Sequence, residues 1–186
     1  MIEHAARIRA VNARMPGIEV LAGIECDIRP DGTLDLGDEC LAQLDVVVAA
    51  VHSGFDMDEA RMTARVLRAI RSPHVDVLAH PTGRLLLRRA PYPLDLEAAI
   101  DAAAGEGVAL EINSLADRLD LGHVNARLAR QRGAAIVIDS DAHGQAGFAA
   151  LGDGVTVARR AWLEPGDVLN TLPLDRFKKR LRRNRR

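Results

Sequence analysis

Cysteine is nearly absent. Cys26 and Cys40 are the only two and show no CxxC spacing, which excludes a disulfide framework and points to reduced thiols in a cytoplasmic protein. Aromatic residues make up 3% of the chain, too few to build a surface on which the bases of a single strand would stack. Neither sign of charge dominates: 25 basic and 26 acidic residues leave a net charge of −1, which argues neither for nor against nucleic acid. No apolar run approaches the roughly 20 residues of a membrane span and no signal peptide opens the chain, so no membrane partner is expected. GxGxxG, Walker A and GxSxG are missing too, which leaves nucleotide cradling and serine hydrolysis without support. What remains is 186 residues, 48% hydrophobic, an ordinary composition for one soluble domain with a sizeable core. No internal repeat, low-complexity segment or linker divides it.

The most informative stretch is Ile136-Val137-Ile138-Asp139-Ser140-Asp141-Ala142-His143. A β-branched apolar run ending in an acid, a spacer and a histidine reads as a buried strand with polar side chains at its C-terminal tip. Asp141 and His143 offer a hard oxygen and a borderline nitrogen, a mixture suited to Zn²⁺ or Mn²⁺. Taken alone, such a pair is as well explained by a helix cap beside a loop. The arrangement recurs, however. Glu25 closes an apolar stretch over 19–25, His52 closes one over 45–52, and His80 closes one over 75–80. Further strands are expected at 108–113 and 154–158. Helical spacing marks 2–14, 58–70, 94–104 and 121–132, with a short helix over 39–44 and another over 165–172.

Strands and helices alternate, and the strands are continuously apolar, the pattern of parallel strands covered on both faces. Either a doubly wound α/β sheet or a (β/α) barrel satisfies it. Functional residues at four strand ends favour a barrel with its site at the C-terminal rim. Folding would gather Glu25, His52, His80, Asp141 and His143 on that rim, as ligands for divalent ions acting on a phosphoryl group. Arg84, just past His80, is placed to hold a phosphate. His4 and His123 on helices, and His74 at the opposite rim, read as solvated. The basic tail from Asp175 reads as an amphipathic helix docking Leu174, Phe177 and Leu181, with its basic face and end in solvent; a nucleic-acid patch is the sharper alternative.

Gly23-Ile24-Glu25, Val51-His52-Ser53-Gly54-Phe55, Leu78-Ala79-His80-Pro81-Thr82-Gly83-Arg84, Leu110-Glu111-Ile112-Asn113 and Ser140-Asp141-Ala142-His143 resemble the PHP (polymerase and histidinol phosphatase) domain. Three further motifs, Asp117-Arg118-Leu119-Asp120, Ala158-Arg159-Arg160-Ala161-Trp162-Leu163 and Val168-Leu169-Asn170-Thr171, match the PHP domain at the C-terminus of bacterial family X DNA polymerases. The resemblance implies a distorted TIM-like barrel over 1–174, followed by the basic tail 175–186, with a trinuclear metal centre at its C-terminal rim. It also implies phosphoesterase chemistry: DNA-end processing of the 3′–5′ exonuclease type, using zinc or manganese. Glu25 would bridge two ions, His52 and His80 would complete the second site, and Asp141 and His143 would keep shares of the first and third.

One departure from the family pattern bears on activity. The first strand of a PHP domain carries His-x-His, followed by further ligands, and neither is here. The resemblance then implies an incomplete barrel with one three-ligand site, weak metal binding and low or no phosphoesterase activity for this chain alone. It also implies two unpaired sheet edges, and hence a homo-oligomer or a complementing polymerase or PHP fragment as partner. A non-catalytic subunit and a small-molecule phosphatase of the histidinol phosphatase type are the alternatives.

Overall fold

A computed structural model describes residues 1–184. Its frame is five parallel strands, β1 (Gly23–Asp27), β2 (Val46–Ala50), β3 (Val77–Leu78), β4 (Ala109–Asn113) and β5 (Ile136–Asp139), hydrogen-bonded in sequence order. A doubly wound sheet would reverse strand order at a switch point. Sequential order with helical crossovers is instead the pattern of a barrel wall, in agreement with the barrel that the strand-end residues favoured. The wall is open, with β1 and β5 at its edges among the described residues.

Helix α1 (Ile2–Asn12) precedes the first strand, and α2 (Asp38–Leu41), α3 (Glu59–Arg71), α4 (Leu96–Glu106), α5 (His123–Gln131) and α6 (Leu151–Arg160) lie between or after the strands. Their starts are written locally. The Asp58 carboxylate accepts from Arg61 N at 2.8 Å and that of Asp95 from Ala98 N at 2.9 Å, each capping a helix start. Met62, Val66, Ala69 and Ile70 form the buried stripe of α3.

Side chains alternate across the wall. Cys26, Val47, Ala49, Leu110, Ile112, Ile136 and Ile138 point outward into the main core under the helices. Residues of the other parity point inward and form two layers. Val77, Ala109 and Val137, with Val48 beside them, make an apolar floor covered by Leu169, Leu172 and Phe177. Above that floor, toward the C-terminal rim, the inward positions turn acidic: Glu25, Asp27, Glu111 and Asp139.

Several expectations are corrected. The strand expected at 154–158 is the middle of α6. Its buried residues Gly154, Val157, Ala158 and Ala161 recur at i, i+3, i+4 and i+7, a helical face. Gly154 allows the helix to press on β4 and β5, since a Cβ there would lie 2.0 Å from Ser114 Oγ. The helix expected over 165–172 is two 3₁₀ turns with Val168 extended between them, bridged to Ile136 on the outer edge of β5. There the Asn170 amide accepts from Ile138 N and donates to Ile138 O, covering an edge that would otherwise be bare. The first strand starts later than expected and runs past Glu25 to Asp27.

Arg176, Lys179 and Arg180 of the tail are exposed as expected, but Arg182 and Arg183 are not left in solvent. Helix α7 (Leu174–Arg180) buries Leu181 beside it and packs Phe177 on the apolar floor, while Leu174 stays exposed. Arg183 then turns under the wall: its Nε donates to Asp76 Oδ2 at 2.7 Å and its terminal nitrogens to the carbonyls of Leu41, Leu44 and His74. Arg182 donates to the carbonyls of Ile70 and Ser72 and pairs with Glu106. Asp76 is wholly buried, so a cation is needed there, and it comes from the tail. Arg185 and Arg186 lie outside the described residues.

Candidate metal centre

Three of the expected ligands meet. Glu25 points inward from β1, His52 follows the end of β2, and His80 follows β3. Glu25 Oε1 stands 3.0 Å from His80 Nε2 and 3.4 Å from His52 Nε2. The two imidazole rings are 5.3 Å apart, tilted by 58°. Two ligands each about 2.0–2.1 Å from one tetrahedral ion stand about 3.3 Å apart, so these separations suit a shared divalent ion. The donor set, one carboxylate and two imidazoles, suits zinc or manganese chemically.

The surroundings hold the ligands in place. His52 Nδ1 bonds to Asp27, leaving Nε2 for Glu25, the usual support of a metal-binding imidazole. His80 is buried, and its only polar side-chain contact among the described residues is Nε2 to Glu25; Nδ1 has no partner. Its backbone N donates to the Glu111 carboxylate, which sits inside the wall. His80 and Asp141 both adopt positive φ, +27° and +47°, uncommon for non-glycine residues and concentrated at functional sites.

The electrostatics divide in two. Hydrogen bonds from His52 and His80 hold the Glu25 carboxyl well below the usual carboxylate range, against the opposing pull of burial. Glu25, and then Asp27, raise His52 to about 9 although burial opposes them. Deeper in, burial pushes the Glu111 carboxyl well up, and the neighbouring Asp139 charge adds to the rise. Asp139 is pushed up as well, mainly by burial. The pair therefore favours holding a proton directly behind the cluster.

The other two expected ligands stand apart. Within 4.8 Å of one another the described residues gather only Glu25, His52 and His80. Asp141 donates its backbone N to Asp139 Oδ1 at 3.2 Å, accepts from Asn113 Nδ2 at 3.1 Å and lies 3.7 Å from Arg118 Nε. His143 is 85% exposed, with Nδ1 on the carbonyl of Asp141. Arg84 has two of its three nitrogens committed to the carbonyls of Arg118 and Leu119. His74, expected to be solvated, is half-buried, 3.6 Å from Asp38.

Asp27, Glu111 and Asp139 did not emerge from the sequence. Their signal was present: each is an acid inside or at the tip of an apolar strand, at inward parity with Glu25. Continuous apolar character hides the parity of such strands.

No family model matches the chain. Among curated proteins it is 41% identical over 182 residues to the DNA polymerase/3′–5′ exonuclease PolX of Bacillus subtilis, covering 98% of this chain and 32% of that protein. It is also 30% identical over 174 residues to a probable phosphatase of Thermoanaerobacter sp. (strain X514), covering 88% of this chain and 69% of that protein. The chain belongs to the PHP family. A probable phosphatase of Shewanella oneidensis, 34% identical over 149 residues, matches 75% of the chain and 57% of its own length. The chain thus spans about a third of the PolX protein and over half of the Shewanella one. In this PHP domain Glu25, His52 and His80 form one tight cluster at the C-terminal rim of the wall.

Proposed function

We propose that this PHP domain is a divalent-metal-dependent phosphoesterase acting at the ends of DNA strands. The observation that carries the reading is the convergence of Glu25, His52 and His80 on one point, backed by Asp27 and Glu111. The relatives' names, a 3′–5′ exonuclease and two probable phosphatases, support phosphoester chemistry.

A divalent ion in the cluster, zinc or manganese, supplies Lewis-acid polarisation of a phosphoryl oxygen and acidifies a coordinated water. The chain's own residues orient and tune the site. Glu25 stays ionised at every working pH and would hold the ion with His52 and His80. Asp27 fixes the tautomer of His52, and Glu111 fixes the backbone that aims His80. Asp141 and His143, on the neighbouring loop, would supply only shares of further ion sites, which need added ligands to hold an ion. The edge of β1, which no further strand pairs among the described residues, makes a second copy, or a fragment of a polymerase or PHP protein, the fitting partner.

A second reading, a phosphatase of small monoesters, draws on the 69% coverage of the Thermoanaerobacter phosphatase. One experiment separates the readings. Metal content is measured on the purified chain, and hydrolysis of p-nitrophenyl phosphate, bis-p-nitrophenyl phosphate and a 3′-labelled oligonucleotide is followed with Mn²⁺ or Zn²⁺. We expect about one ion per chain and slow hydrolysis of the diester and the oligonucleotide, lost in His80→Ala. Monoester hydrolysis alone favours the small-molecule reading. No bound metal, or activity indifferent to His80→Ala, overturns both.

A further inference from the structure

Just past His80 the rim carries a tight hairpin whose tip is a leucine. Leu85 and Arg89 exchange backbone hydrogen bonds of 2.9 and 2.7 Å, and Leu87 sits at the turn with φ +63°. That region of backbone space is where glycine or asparagine rests without strain, and a leucine there is an outlier. Burial offers no compensation, because Leu87 is fully exposed and Leu86 beside it is partly so. Nor can the loop relax. Leu86 N donates to Asp117 O at 2.6 Å, Arg88 pairs with Asp117, and Arg89 grips Gly83 O while its guanidinium lies 4.0 Å over the Phe55 ring. Phe55 and Gly83 belong to the loops that carry His52 and His80, so the hairpin is mounted on the metal-centre rim.

The surroundings define what such a knob can touch. Residues 84–91 contain three arginines, of which Arg88 is paired with Asp117, and no acid of their own, and they border a groove of about 450 Å³, within the size range of small-ligand sites. Two leucines are too small a patch for a stable protein interface. An apolar knob on a rigid basic mount fits a ligand that is anionic along its backbone and flat and apolar on its faces. Nucleic acids are such ligands, and inserted leucines are known wedges between their bases.

We infer that Leu87 is a base-contacting wedge, held by its hairpin against the nucleobase that adjoins the phosphoester at the Glu25–His52–His80 cluster. This deepens the proposed function and rests on its reading of the rim as a strand-end site.

The test measures binding, so it does not depend on turnover. The full chain and its Leu87→Gly variant are titrated, with EDTA present, against a fluorescently labelled thymidylate decamer and an abasic decamer of the same length, followed by anisotropy. Glycine suits φ +63°, so the variant is expected to melt at or above the parent temperature; Leu87→Asn serves as a second variant tolerated in that conformation. We expect each variant to bind the thymidylate decamer at least fivefold more weakly than the parent, and the abasic decamer equally well. Equal binding of thymidylate by parent and variants overturns the inference, as does an equal loss on the abasic strand or no binding of thymidylate by the parent. The phosphoesterase reading fails separately, on the nitrophenyl ester assays, where Leu87 has no base to meet.

Discussion

Loading the Glu25–His52–His80 cluster with a divalent ion should be a proton exchange at neutral pH. In the metal-free chain Glu25 and Asp27 flank His52 and raise it from 6.5 to about 9. A ligand imidazole must give up that proton before the ion can take its place. At pH 7, two units below the His52 value, only about 1% of the rings are neutral, so apparent affinity should be about 100-fold weaker than its plateau above pH 9. Between those limits it should improve about tenfold per pH unit, or about 1.4 kcal/mol. Glu25, held below the usual carboxylate range, adds no proton in this window. Isothermal titration calorimetry with Mn²⁺ at pH 6.5 to 9, in buffers of different ionisation enthalpy, measures both quantities. We expect about one proton released per ion at pH 7 and a slope near −1 in log Kd against pH. Asp27→Asn removes one of the two acids beside His52 and should move the plateau to lower pH. A flat Kd from pH 7 to 9 with no proton release would refute His52 as a ligand.

Three more outcomes follow from the geometry. Arg183→Ala strips the cation from wholly buried Asp76 and should cost about 3–5 kcal/mol, lowering Tm by about 6–20 °C; a loss below about 1 kcal/mol in urea unfolding would show that the tail is not a structural clamp. Gly83→Ala places a Cβ 2.3 Å from the Tyr92 ring at φ +62°, beside the bond from Tyr92 Oη to Pro81 O, and should cost at least about 2 kcal/mol and weaken metal binding; an unchanged Tm refutes it. Stability of the metal-free chain should fall as pH rises from 6.5 through about 9. His52 is raised on folding, so its contribution is whole below 6.5 and lost through its folded value, and buried Glu111, also raised, acts in the same direction. Because His52 is 39% exposed, screening holds its share to about 1 kcal/mol. Thermal unfolding at pH 6, 7.5 and 9 checks the direction, and a rise toward pH 9 contradicts it.

Much of this was readable from local pattern. Apolar runs bounded by turn residues marked all five strands, and helical spacing marked the helices over 58–70 and 94–104, because both signals are written within a few residues. The ends of those runs named Glu25, His52 and His80, since a strand that closes in a ligand-type side chain delivers it to the rim. The misreadings arose where short-range pattern is ambiguous. A five-residue run such as 154–158 fits strand or helix alone, and only the packing of Gly154 on Ser114 decides between them.

Composition and periodicity by themselves determined an α/β chain of alternating strands and helices with polar side chains at the strand tips, because alternation and termination are local properties. Tertiary structure alone decided the rest. It chose sequential strand order over a switch point, set the parity that brings Asp27, Glu111 and Asp139 behind the ligands, and placed Asp141 and His143 outside the tight cluster. It also turned a solvated-looking basic tail into the partner of Asp76. Each of these depends on residues far apart in the chain meeting in space, where burial and charge set a cost that no local pattern records.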